Sequence, residues 1–383
     1  MSDKKLRNSN IEILRMLSMF LVVISHYAVH SGFNFGENSP SINRYYTLFT
    51  ILGNAGVNTF VLISSYFLSD SAVRGKAGNS TGILSRYKKL FPMWRSMFLY
   101  SAILLPVLIK TGFVEFNKED LIHSFFPVIY EKWWFATTYI ILFLLHPFLN
   151  MFIERIDNRN HLRITAIVTV VWILIPTLTE QKLKCNDVVW FICLYLIASF
   201  INRNIESFKG SSFRYIALSI AFFFAYCVSV VVIEILKKTI WPSFKSFNFR
   251  FSDKQSMIMV LLSIFLFLGF IKMKEHYSKV INALAACTFG IYLLSENPHM
   301  RRIIWTSWNP GLKYVDRRLF IPISLGYCIA VFCVCCLIEF IRIHTVEYVA
   351  SRLFKPLEER IVNFIRFVFS KINNAFAHSS DKV

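Results

Sequence analysis

Two ionisable side chains, Arg15 and His26, interrupt the first long apolar run of the chain, and Glu12 precedes Arg15 by three positions. Eleven positions separate Arg15 from His26. At about 100° per residue they share one helical face, roughly 16 Å apart along the axis. Glu12 falls on that face too. A charge at membrane depth costs several kcal/mol unless it faces protein or a water-filled cavity, so such a residue marks a functional site by default. An imidazole can take a proton from a hydroxyl or carry an acyl group. The competing reading is a histidine hydrogen-bonded between helices, and the alignment with Arg15 and Glu12 favours chemistry. His30 stands at metal-ligand spacing from His26, but no third ligand is identifiable, and no metal is expected.

A second cluster is Ser85-Arg86-Tyr87-Lys88-Lys89-Leu90-Phe91-Pro92, at the mouth of a later apolar run. Positive charge beside a span accounts for much of it. Yet Arg86 and Lys89 share a face near a helix start, where they could hold the phosphates of a nucleotide-type ligand. The third cluster runs from Thr288 to Arg301. There Glu296 and Asn297 sit where a helix must stop, because Pro298 disfavours helical geometry at the residue before it. They form either a polar collar at the head groups or, with Arg301, an acceptor-binding or acid/base site. Trp133, Trp134 and Phe135 read as an interfacial aromatic belt. Glu339 reads as snorkelling or paired near a span end, and His146 is a weaker candidate.

The elements that must position these residues are membrane spans. Hydrophobic residues make up 55% of the 383, far more apolar surface than a soluble domain of this size needs. Runs able to cross a bilayer fall at roughly 11–31, 45–68, 89–110, 133–153, 163–179, 188–202, 213–236, 255–272, 280–297 and 320–342. The expected fold is therefore all-α: a polytopic membrane helix bundle of about ten transmembrane helices with a C-terminal amphipathic tail. Residues 1–342 form the membrane domain and 343–383 the interfacial tail. Val346, Val349, Leu353, Leu357, Ile361, Phe364, Val368 and Ile372 recur at three- or four-residue steps there, with Pro356 expected to interrupt the helix.

An even number of spans puts both termini on one side, and the modest Lys/Arg bias makes that side cytoplasmic. The net charge of +19 lies mostly in short loops, which fits topology and anionic head groups rather than nucleic acid. Against the bias, Lys237, Lys238, Lys245, Arg250 and Lys254, and then Arg301, Arg302, Lys313, Arg317 and Arg318, would make an electropositive outer face that attracts an anionic acceptor. The eight cysteines have no metal or disulfide spacing and read as small buried hydrophobes. The first run contains Arg15 and lacks a small-residue cleavage site, so it reads as an uncleaved span.

These clusters, in this order, resemble the acyltransferase 3 family of integral membrane acyltransferases, whose members O-acetylate cell-surface carbohydrates, including lipopolysaccharide, peptidoglycan and exopolysaccharides. The resemblance covers roughly residues 8 to 342. It is most specific in the first span, where the family carries an Arg followed by a His near the other end, with an acidic residue in the place of Glu12. The run Val61 to Leu68 is similar to a family stretch ending span two. Arg86 to Lys89 matches a basic pair, here with Lys in the second place. Trp134-Phe135 with Tyr139, Pro147 and Asn150 also looks like family usage. One position departs: the run Gly290-Ile291-Tyr292-Leu293 is usually followed two residues on by His, and Ser295 stands there instead.

The resemblance implies acyl, expected acetyl, transfer from acyl-CoA to a hydroxyl of a surface polysaccharide or its lipid-linked precursor, in the plasma membrane. Acetyl-CoA would place its phosphates near Arg86, Lys88 and Lys89. His26 would act as base or acyl carrier, with Arg15 orienting the donor or stabilising charge at the thioester carbonyl and Glu12 beside it. Glu296, Asn297 and Arg301 would serve the acceptor. A transporter or flippase for a glycan or lipid-linked sugar is the alternative; it also needs polar intramembrane residues but not the basic pair.

Overall fold

The computed structural model describes residues 7–32, 40–75, 87–179, 181–239, 251, 253–314 and 318–380, and among them there are helices and no strands. In chain order the helices are α1 Ser9–His30, α2 Pro40–Val73, α3 Leu90–Lys110, the short α4 Lys118–Phe125 and α5 Trp134–Arg155. Then come α6 Asn158–Thr179, α7 Asp187–Arg203, α8 Ser212–Thr239, α9 Met257–Ile271, α10 Lys279–Ala285 and α11 Thr288–Ser295. A short helical segment α12, Pro298–Ser307, precedes α13 Phe320–His344 and the tail helix α14 Val346–Ser380. Among the described residues seven helices are long and apolar enough to cross a membrane, and an eighth is added if the pair α10–α11 plus α12, bent by 75°, is one broken span. α7 and α9 have only 17 and 15 residues. The all-α membrane bundle expected from the sequence is present, and these elements are compatible with about ten spans.

α1 is held where its polar face matters. Asn8 caps its first turn by accepting from the Asn10 amide, and Glu12 complements the positive end of the helix dipole. On α2, Gly53 and Gly56 meet Ser25 and the Ser18 carbonyl of α1 so closely that a Cβ at either glycine would overlap them. Small residues on one face let two backbones approach, the usual device of helix pairs in lipid. The bundle is further tied by buried amides. Asn58 accepts from the Trp190 indole at 3.1 Å, and Asn150 donates to the Leu68 carbonyl at 2.8 Å while accepting from Tyr195 at 2.6 Å.

Two local readings are corrected. Trp133 and Phe135 are buried instead of lying in an interfacial belt: the Trp133 indole donates to the Leu293 carbonyl of α11, and Phe135 packs on Tyr292 and Phe191. α14 runs through Pro356 without a break, because the proline is exposed and its neighbours hold the helix against α3 and α13. Where a proline does disturb the ladder is α6, whose turn Val170–Leu174 widens to π geometry just before Pro176. Of the expected outer cations, Lys245, Arg250 and Arg317 lie outside the described residues, while Lys254 pairs with Asp187. Cys185, Cys193, Cys287, Cys328, Cys335 and Cys336 are buried free thiols, Cys227 is half-buried and Cys333 is exposed.

Candidate active site

The site begins at a helix break. α11 ends at Ser295, and Asn297 starts α12 by accepting from the amides of His299 and Met300 at 3.1 and 3.4 Å. Pro298 takes the first position of the new segment, where its missing N–H is not needed. Glu296 is left between the two helices, buried, and its carboxylate turns to α1. Oε2 lies 3.3 Å from His26 Nδ1 and 3.3 Å from His30 Nε2, and Oε1 accepts from Arg301 Nη1 at 3.0 Å. The structure thus joins the first and third sequence clusters into one polar group. Nδ1 faces the carboxylate at ion-pair distance without a hydrogen bond, and His26 itself lines none of the described cavities; a general base held from Nδ1 in this way would use Nε2.

Glu296 and Arg301 also line a cavity of about 360 Å³. Its other walls are α4, the turn before α5 and α12: Asp120, His123, Tyr130, Lys132 and His299. The His123 and Tyr130 rings pack with centroids 4.1 Å apart, tilted by 32°. Glu131 adopts a left-handed φ of 47°, a conformation costly for a residue with a Cβ. The next residue, Lys132, turns inward, its ammonium donating to Ser101 and Ser124 at 2.8 Å each. Burial pushes the Lys132 ammonium down to about 8, against an opposing pull from Asp120.

The other end of α1 opens on a separate cavity of about 410 Å³, whose lining includes Arg7, Glu12, Arg15, Tyr139 and Arg342. Arg15 Nη1 donates to Glu12 at 3.2 Å, while its buried Nε has no partner. Aromatic rings lead from this cavity, which Phe135 and Tyr139 line, to His26. Phe135 stacks on Tyr139 at 6.4 Å and meets Tyr292 edge-on at 5.7 Å, and Tyr292 lies 6.3 Å from the His26 ring. Cavity, aromatic column and His26–Glu296 pair therefore follow one face of α1.

Of the basic cluster, Lys88 is exposed and lines a third cavity near the tail, Lys89 is exposed and lines none of the cavities described, and Arg86 lies outside the described residues. Asn297 is buried as a helix cap. Ser295 is buried with its hydroxyl turned back to the Tyr292 carbonyl, so no imidazole enters the site from α11; the second imidazole beside Glu296 is His30 of α1. His146 is buried away from the site with Nδ1 on the Phe143 carbonyl. Lys132, Tyr292 and His299 were not singled out by sequence pattern. His30 had a signal, its four-residue spacing from His26.

A family model described as an acyltransferase domain matches residues 8–340, which spans α1 to most of α13 and excludes the tail helix. No curated protein matched the chain, and no solved structure did.

Proposed function

The chain belongs to the acyltransferase 3 family, and from that premise we propose that it transfers an acetyl group from acetyl-CoA to a hydroxyl of a cell-surface polysaccharide or its lipid-linked precursor. The observation that carries this reading is the face of α1 itself: at one end a cavity lined by Arg15, whose guanidinium has an unpartnered nitrogen, and at the other an imidazole 3.3 Å from a carboxylate, Glu296, that lines a second cavity. A donor and an acceptor approaching from opposite sides need such an arrangement; a single-sided hydrolase does not.

In this reading acetyl-CoA enters beside Arg15, and its phosphates rest on the basic residues before α3, Arg86, Lys88 and Lys89. The acceptor occupies the cavity above Glu296, steered by Arg301. His26 takes the hydroxyl proton on Nε2 as the oxygen attacks the thioester carbonyl. Glu296 holds the ring and balances the imidazolium that forms. Collapse of the tetrahedral intermediate expels the CoA thiolate, which takes the proton from His26. If His26 instead attacks the thioester, the thiolate leaves first and an acyl-imidazole passes the acetyl group on. Arg15 lies roughly 16 Å along the helix from His26. It therefore orients the donor, with Glu12 holding its guanidinium, and the aromatic column is the passage the thioester must enter. The protein would lie in the plasma membrane with both termini cytoplasmic.

The test is the O-acetyl content of the host's surface glycans by NMR in cells carrying the wild-type chain, a deletion, or His26→Ala at matched expression. Loss in both the deletion and the variant supports the reading. Loss in the deletion alone removes His26 from the chemistry. A glycan transporter, the alternative, would move its cargo without consuming acyl-CoA, and unchanged acetylation in all three strains would favour it.

A further inference from the structure

The tail helix lies beyond the matched family domain, yet it is built into the bundle. Phe354 packs edge-on against Trp94 and Phe98 of α3 at 5.3 and 5.4 Å. Arg95, buried on α3, pairs with both Glu347 and Glu358 of α14. Where the two helices diverge they enclose a cavity of about 410 Å³. Four cations line it, Lys88 and Arg95 from the α3 end and Lys355 and Arg366 from the tail, against two carboxylates, Glu358 and Glu359. Eleven positions separate Lys355 from Arg366, so they project from one face of α14 towards Lys88. Glu358 is engaged by Arg95, and Glu359 comes no nearer to Lys355 than 4.0 Å. The cavity is thus left with an excess of positive charge.

Its position matters as much as its charge. Pro92 lines both this cavity and the one containing Arg15. Arg95 lines the first and Glu347 the second, so their ion pair, at 2.6 Å, stands at the partition. A ligand with an anionic head in the tail cavity could pass a slender arm over Pro92 towards Arg15.

We propose that the groove between α3 and α14 is a phosphate-binding site, completed by Lys355 and Arg366 of the tail. Its occupant is the phosphorylated nucleotide end of the acyl donor. That assignment rests on the acyltransferase reading; the same chemistry in an anionic lipid head group is the other source of a phosphate. Two or more phosphates held by side chains from two helices would make the tail part of donor recognition, not merely a membrane anchor.

The experiment uses the full chain in nanodiscs of uncharged phosphatidylcholine. Binding of CoA, which carries no acyl group and cannot react, is measured for wild type and for Lys355→Gln/Arg366→Gln. Both side chains are exposed, so thermal unfolding should be unchanged. Lys88→Gln provides a second variant that leaves the tail intact. The expected result is at least a tenfold loss of CoA affinity in the double variant, with a smaller loss for dephospho-CoA. In a parallel arm, native mass spectrometry in phosphatidylglycerol nanodiscs reads retained lipid. Unchanged CoA affinity with loss of one bound phosphatidylglycerol supports the site with a lipid phosphate in it. Equal CoA affinity and equal lipid retention in all variants overturns the proposal. CoA binding that is intact in wild type without any acetylation would overturn the reaction and leave the site standing.

Discussion

His26 of α1 and Glu296 at the α11–α12 break approach to 3.3 Å, and the same carboxylate oxygen lies 3.3 Å from His30, one turn along α1. One carboxylate oxygen therefore faces two imidazoles at ion-pair distance while the other accepts from Arg301. If this pair is the general base, Glu296→Gln should lower acetyl transfer by about 10²–10⁴-fold with the protein still folded. His26→Ala should do at least as much, and His30→Ala less. Membranes supplied with radiolabelled acetyl-CoA and the native glycan would measure it. An active Glu296→Gln enzyme would remove the carboxylate from the mechanism.

The sequence favours Lys89, three positions from Arg86, over Lys88, and the fold reverses that order. Lys88 lines the groove beside the tail, whereas Lys89 lines none of the described cavities. Lys88→Ala should raise KM for acetyl-CoA about three- to tenfold, the worth of a partly exposed contact of about 1 kcal/mol to a phosphate, with little change in kcat. Lys89→Ala should raise it less. A kcat effect larger than the KM effect in either variant would argue against a docking role.

Lys132 gives a pH signature of the cavity it lines with Glu296. Its ammonium titrates at about 8 when folded because it is buried, against about 10.4 in an unfolded chain. Between those values the unfolded state binds more protons, so stability contributed at this position rises with pH through that window. Below pH 8 the ammonium is charged in both states and its burial cost is constant. The difference in melting temperature between wild type and Lys132→Met should accordingly move in favour of wild type from pH 8 to 10. A flat difference would show that the ammonium is hydrated, and that the Ser101 and Ser124 contacts do not define its surroundings.

Much of this was legible in the chain because it depends on local rules. Apolar run length gave the spans, helical periodicity aligned Glu12, Arg15 and His26, and Pro298 marked the break that frees Glu296. What was not legible depends on which surfaces meet. Trp133 reads as a belt residue until Leu293 of α11 offers its carbonyl. Lys132 and His123 lie in a short helix and an irregular turn, where no period announces a cavity wall. Arg95 carries no pattern of its own in the sequence, and its role shows only where Glu347 and Glu358 reach it from the tail. Pro356 reads as a breaker, but packing of Phe354 and the two ion pairs holds the helix across it.

The ion network joining α3, α13 and α14 supplies the last prediction. Glu339 is buried, accepts from Tyr100 at 2.6 Å and holds Arg342 through both oxygens at 2.6 and 2.9 Å; Arg342 also donates to Glu347 at 2.7 Å. Gly290 makes room for it, since a Cβ there would overlap the Glu339 carboxyl group. Arg342→Leu leaves Glu339 buried without its cation and should destabilise the protein by about 3–5 kcal/mol. Arg342→Leu/Glu339→Leu removes both charges and should recover most of that loss, because burying an ion pair costs nearly what the pair returns. Gly290→Ala should destabilise by displacing Glu339 even with both charges present. Thermal unfolding of the purified protein in one detergent, arranged as a double-mutant cycle, measures the coupling. A double variant as unstable as Arg342→Leu alone would mean that leucine at these positions disrupts packing, and that the charges are not what the site depends on.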